Sequence, residues 1–288
     1  MAKGFVCSPF PPVPSKVSPS TARSRNDSTW VGIALVYFIA PRVRRIAQYT
    51  VPDILELRYG PVARILGTIT TVLAYSTIAA YQFRGGGRLL ALVADIDPGT
   101  GALVTAIFCI LFTALAGMLS IAYLDVGNGL LMTFAVMLGV AFLVNDAGGL
   151  SIAFSELRPD QLSMFGDMGS QAALALFLPT MFLLLGEANM YQKFFSARDE
   201  RATRVAVIGW IVGTIVLETL IDSIGILGSL SIVGLTSVES EEIVVRIATE
   251  VLPGLLGLLL VCGAAAIVVS TANSFLLTPS TNLMRDVY

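Results

Sequence analysis

The sequence predicts an all-α membrane protein, and three observations carry that prediction. Hydrophobic residues make up 55% of the chain and charged ones only 13%, with a mean hydropathy of +0.80, more than one soluble core of this length requires. The apolar residues gather in runs close to the ~20 residues that a helix needs to cross ~30 Å of hydrocarbon. No run alternates as a membrane barrel strand would, and an open strand in lipid would leave backbone groups without partners.

The first segment, residues 1–28, reads "CSPFPPVPSKVSPSTARSRNDS" over most of its length. It is rich in Pro and Ser and poor in apolar residues, so it is expected to be a disordered arm. It has no apolar core of the kind a secretory signal carries. Next comes "WVGIALVYFIA", Trp30 to Ala40, which rises only about 16 Å as a helix, so residues 30–45 read as a truncated span. Six full spans are expected at 62–83, 102–121, 124–145, 171–190, 205–227 and 252–277. The connection at 228–251 contains "ESEE" and then Ile243, Val244, Ile247 and Val251, which suggests a short surface helix before the last span.

Loop charge sets the orientation. Arg42, Arg44, Arg45, Arg58 and Arg64 share one side with Lys193, Arg198, Arg201, Arg204 and Arg285, while the opposite loops hold Arg84, Arg88, Arg158 and Arg246. The richer side is cytoplasmic by the positive-inside rule.

Several kinds of chemistry are excluded. Histidine is absent and Cys7, Cys109 and Cys262 are far apart, so a His/Cys metal site, a Cys-His nucleophile and a disulfide framework lack raw material. The formal net charge of -2 carries no basic excess for nucleic acid. "RGGGR", Arg84 to Arg88, lacks the Lys-Ser/Thr of a phosphate loop and follows no strand, so it reads as a flexible outer loop. Glu218 and Asp222 share one helix face, which suits either a proton relay or a solvated helix end. Glu187 falls at a helix end and reads as an interfacial residue.

The last span holds the candidate site. At about 100° per residue, Ser270, Thr271, Ser274, Thr278 and Thr281 fall within about a 100° sector, continued outward by Gly263 and Ala266. Two readings stand. Small and hydroxylated residues let membrane helices pack closely; the same hydroxyls, joined by backbone carbonyls, suit a hard cation such as sodium.

Several stretches, taken in order, carry a resemblance. "APRVRRIAQYTVPDILELRYGP", "YQFRGGGRLL", "FTALAGMLSIAYLDVGNGLLM", "GEANMYQKFFSARDERATR" and "AAIVVSTANSFLLTPSTNLMRDVY" resemble, in that order, conserved stretches of the sodium:solute symporter family, whose members include sodium/proline, sodium/pantothenate and sodium/glucose cotransporters. The resemblance covers Trp30 to Tyr288. It implies a leucine-transporter fold of two inverted five-helix repeats and sodium-coupled symport of a small organic solute by alternating access, with no cofactor beyond the coupling ion. By motif position, Ser270 and Thr271 match the sodium-ligating hydroxyls and Ile267 supplies a carbonyl. Asp125 matches an aspartate on the ion's cytoplasmic release path, although Leu124 and Asn128 replace a usual Thr and Gln. Tyr75, Tyr81, Gln82 and Asn189 are candidate solute-lining residues on core helices three and six.

The resemblance also has gaps. Nothing matches core helix one, which completes the sodium shell in the family; core helix two is reduced to its inner half, and the match ends at core helix eight. The chain is thus expected to hold half of an ion site and not to transport alone, unless a second chain supplies the missing helices. A proton-coupled carrier using Glu218 and Asp222, and a non-transporting membrane protein, are the alternatives. The expected partners are sodium, a small organic solute and the lipid of the plasma membrane, not nucleic acid.

Overall fold

The computed structural model describes residues 19–46, 49–156, 170–232 and 243–287. Among them ten α-helices follow one another: α1 (Pro19–Ile46), α2 (Val51–Tyr59), α3 (Pro61–Ala94), α4 (Pro98–Asp146), α5 (Leu150–Glu156), α6 (Ser170–Leu185), α7 (Ala188–Phe195), α8 (Glu200–Ser231), α9 (Ile243–Arg246) and α10 (Gly254–Asn282). A π turn follows α9 at Ile247–Val251 and another follows α10 at Leu283–Val287. Among the described residues four helices are long and apolar enough to cross a membrane: α3, α4, α8 and α10.

Runs 62–83 and 205–227 lie within α3 and α8, and run 252–277 overlaps α10, which begins at Gly254. Runs 102–121 and 124–145 belong to the single 49-residue α4, which breaks at Gly117 (φ 65°, ψ 172°), a left-handed geometry that glycine adopts without a Cβ penalty. Run 171–190 is divided between the 16-residue α6 and the separate α7, with Gly186 and Glu187 between them. The truncated span lies in α1, which begins at Pro19, inside the segment expected to be a disordered arm. Pro suits a first helical turn, and a helix nucleated by the packed apolar residues after Trp30 propagates back through Ala22 and Arg23 at low cost. The rest of the arm, residues 1–18, lies outside the described residues.

The "RGGGR" expectation is overturned. Residues 84–88 are helical inside α3, and Gly85, Gly86 and Gly87 are buried. A Cβ on Gly87 would lie 2.4 Å from the Pro98 carbonyl oxygen and 2.6 Å from the Ala102 nitrogen; one on Gly86 would lie 2.5 Å from the Thr105 side chain. The glycines let α4 start in backbone contact with α3, the close approach that small residues permit in membrane helices. A helix also keeps its own backbone satisfied where a loop would not.

The helices fall into two packed groups. Ile33, Val36 and Val43 of α1 pack with Met190 and Phe194 of α7 and Val207 of α8, and α6 lies along α1. On the other side α10 packs against both α3 and α4. Met132, Val136 and Leu143 of α4 and Leu260 of α10 share a core with Ile221 and Ile224 of α8. Ile243, Val244 and Ile247 of the short α9 segment are buried in that same core, so the helix expected on the surface is packed into the protein. Large apolar side chains such as Leu103, Leu111, Leu119 and Leu130 face outward, which suits a lipid-facing surface.

Candidate functional site

The hydroxyl stripe of α10 faces protein. Its helix has no charged residue between Gly254 and Asn282, so its polar contacts come from hydroxyls, amides and backbone. The Ser270 hydroxyl donates to Oδ1 of Asp125, and the Ser274 hydroxyl lies 3.4 Å from Oδ2. Lys193 Nζ reaches the same Oδ2 at 3.2 Å. Asp125 on α4 therefore stands between the hydroxyls of α10 and an ammonium from α7. The adjoining turn is fixed by Asn128 Nδ2, which donates to the Ala266 carbonyl at 3.2 Å.

Thr271 and Ile267 are half-buried on this part of α10. Further along, Thr278 and Thr281 donate to the carbonyls of Ser274 and Leu277, four residues earlier. That is the self-satisfied role which the packing reading assigns to membrane hydroxyls. The upper stripe is different, because Ser270 bonds to a carboxylate on another helix. Toward the outer end, a Cβ on Gly263 would meet Met132 Sδ at 3.0 Å, so packing governs there. One helix face thus contains both a patch bonded to a carboxylate on another helix and a packing strip.

A second group surrounds Tyr75. Its hydroxyl accepts the Asn189 backbone N–H at 3.3 Å, and its ring lies 4.8 Å from that of Phe275 on α10. Gln82 is buried two turns along α3 on the same face. Tyr81 is rotated about 100° from Gln82 and half-buried, so it does not share the face of Tyr75 and Gln82. Tyr75 and Asn189 thus join α3 to α7, Asn189 through its backbone.

The remaining acidic candidates separate by environment. Glu218 accepts a hydrogen bond from Trp30 Nε1 at 2.9 Å, which ties α8 to α1. Glu187 takes the position before α7 without capping it through its side chain. Sequence reasoning treated Lys193 as one more cytoplasmic rim cation. Nothing in the spacing pairs it with Asp125, 68 positions earlier. The buried amides were also missed: Gln192 Nε2 donates to Asn282 Oδ1 at 3.0 Å, and the Thr113 hydroxyl donates to Asn273 Oδ1 at 3.1 Å. Among the described residues no group of three or more His, Cys, Asp and Glu is placed to hold a metal ion.

Comparison with known proteins places the whole chain rather than its individual side chains. The chain is 28% identical over 255 residues to the sodium/pantothenate symporter of Escherichia coli (strain K12), covering 85% of this chain and 52% of that protein. It is 22% identical over 265 residues to the high-affinity proline transporter PutP of Bacillus subtilis (strain 168), covering 87% and 56% respectively. The chain spans about half the length of these curated relatives. A solved Na+-coupled sialic acid symporter in a substrate-bound outward-open state superposes with a TM-score of 0.77 at 17% identity, covering all of this chain and 64% of that one. That likeness establishes a leucine-transporter-type helical fold. The model of the sodium:solute symporter family matches residues 28–288, and the chain belongs to that family.

Proposed function

We propose that this chain forms the central part of a sodium-coupled symporter that carries a small organic solute across the plasma membrane by alternating access. The observation that carries the reading is the Asp125 cluster, in which a carboxylate and two hydroxyls from separate helices meet within the protein. Oxygen-rich, partly dehydrated surroundings of this kind favour a hard monovalent cation. Ser270, Thr271 and the Ile267 carbonyl supply one part of the shell, and carbonyls from core helix one complete it, whether from the same polypeptide or from a second chain. Asp125 receives the ion on its way to the cytoplasm, where Lys193 competes for the same oxygen. Tyr75, Gln82 and Asn189 border the solute, with Tyr81 at the edge of that region.

No covalent chemistry is involved. Sodium binding stabilises the solute-accepting conformation, and the downhill movement of the ion drives the cycle. The Trp30–Glu218 bond gives Glu218 a helix-pairing role, which does not favour the proton-coupled alternative.

The test is uptake of labelled pantothenate and of labelled proline by a full-length transporter containing this chain, measured against sodium concentration with choline as the replacement cation. Ser270→Ala with Thr271→Ala should weaken sodium activation roughly tenfold, about 1.4 kcal/mol. Stability should fall little, because membrane hydroxyls contribute on average ~0.6 kcal/mol to helix association. An unchanged sodium dependence in the double variant would return the whole stripe to packing.

A further inference from the structure

The cytoplasmic end of α10 closes on a charged node that the transport reading leaves unused. The side chain of Asp286, in the π turn after α10, is fully buried. Its Oδ1 accepts the Thr50 hydroxyl at 3.0 Å, Arg64 Nε at 3.3 Å and Arg64 Nη2 at 3.2 Å. Its Oδ2 lies 3.0 Å from the Thr68 hydroxyl. Arg64 also reaches Glu56 at 2.7 Å, Asp53 at 3.2 Å and the Arg285 carbonyl at 2.7 Å. Thr50 in turn caps α2, accepting from the Asp53 N–H at 3.1 Å while its own N–H donates to Asp53 Oδ2 at 3.2 Å.

A charged cluster at this end of a transporter has two mechanical roles open to it. A gate breaks and reforms in every cycle; a clamp does not. Gates need few bonds and ready access to water, as in the Lys193–Asp125 pair, whose side chains are 46% and 20% exposed. Asp286 is the opposite case. Opening it would strand a fully desolvated carboxylate and strip an arginine of one of three carboxylate partners, a large penalty in a low-dielectric setting. The π turn contributes as well. An unbroken α-helix would put Asp286 about 160° around from Ser270, whereas the wider turn brings its carboxylate onto Arg64.

We infer that Arg64 and Asp286 form a permanent clamp, which fixes the cytoplasmic end of α10 to α2 and α3 throughout transport. They are positioning residues: they hold the helix bearing Ser270 and Thr271 in one body with α3, which bears Tyr75 and Gln82. Movement on the cytoplasmic side is then left to the seam beside α7. This inference goes beyond the sodium reading, and its first test does not depend on it.

The test measures distances between spin labels in the intact cysteine-free transporter reconstituted in lipid. One pair, Val62→Cys with Met284→Cys, spans the clamp at two well-exposed positions. A second, Val205→Cys with Met284→Cys, spans the two helix groups. Without sodium, Asp286→Asn should broaden and shift the first distance, and Asp286→Glu should restore most of it; an unaltered distribution in Asp286→Asn overturns the clamp. With sodium chloride replacing choline chloride in the parent, the second distance should change and the first should not. A change in the first distance makes the node a gate and overturns the inference. If sodium alters neither distance, the sodium reading fails, and the clamp is judged on the Asp286→Asn comparison.

Discussion

Replacing Gly87 by alanine isolates the physics of the seam between α3 and α4. An alanine Cβ there would lie 2.4 Å from the Pro98 carbonyl oxygen and 2.6 Å from the Ala102 nitrogen, against an ordinary contact of about 3.5–4.0 Å between such atoms. Both obstacles are backbone, so no side chain can swing aside, and the start of α4 must move by about 1 Å. Overpacking of this kind costs about 1–3 kcal/mol. Alanine's better helix propensity returns up to about 1 kcal/mol. A net loss near 2 kcal/mol is expected, from the upper part of the overpacking range. Gly213 on α8 has nothing within 4 Å of such a Cβ, so Gly213→Ala should retain the propensity gain alone. Unfolding in a fixed mixed micelle should therefore separate the two variants by about 3 kcal/mol. Equal stability of Gly87→Ala and the parent, or a matching loss in Gly213→Ala, would refute the reasoning.

Four other outcomes are expected. Asp125→Asn removes the charge that faces Lys193 and Ser270 and should lower the maximal sodium-driven uptake rate at least roughly tenfold, a loss of about 1.4 kcal/mol, as measured with labelled solute. Trp30→Phe deletes the indole donor to Glu218 and should cost about 1–3 kcal/mol in unfolding measurements, while Glu218→Gln should leave the pH dependence of uptake unaltered; a flattened pH profile would revive the proton-coupled alternative. Tyr75→Phe removes the acceptor of the Asn189 N–H and should lower stability by about 1 kcal/mol, with the ring contact to Phe275 retained.

What was legible in the sequence was local. Length and apolarity locate spans, and the angular sector of Ser270, Thr271 and Ser274 follows from helix geometry alone. Motif order adds the family, and with it Asp125. What was illegible depends on partners distant in the chain: Arg64 meets Asp286 across 222 positions, and Ser270 meets Asp125 across 145. "RGGGR" misled for a related reason. Glycine marks either a loop or a close approach, and only the neighbouring helix decides between them. The start of α1 was obscured because weak propensity in an isolated segment is overridden when packed residues nucleate the helix.

The eight residues of α7 have a practical use. Asn189, Gln192 and Lys193 reach α3, α10 and α4 in turn, so one short element touches three of the long helices through polar contacts. A single covalent staple from α7 to α10, at the Gln192–Asn282 pair for example, would hold the molecule in the present arrangement without altering any residue proposed to touch ion or solute. Such a locked form would suit inhibitor screening and the raising of state-selective antibodies, where a freely cycling carrier presents a shifting target.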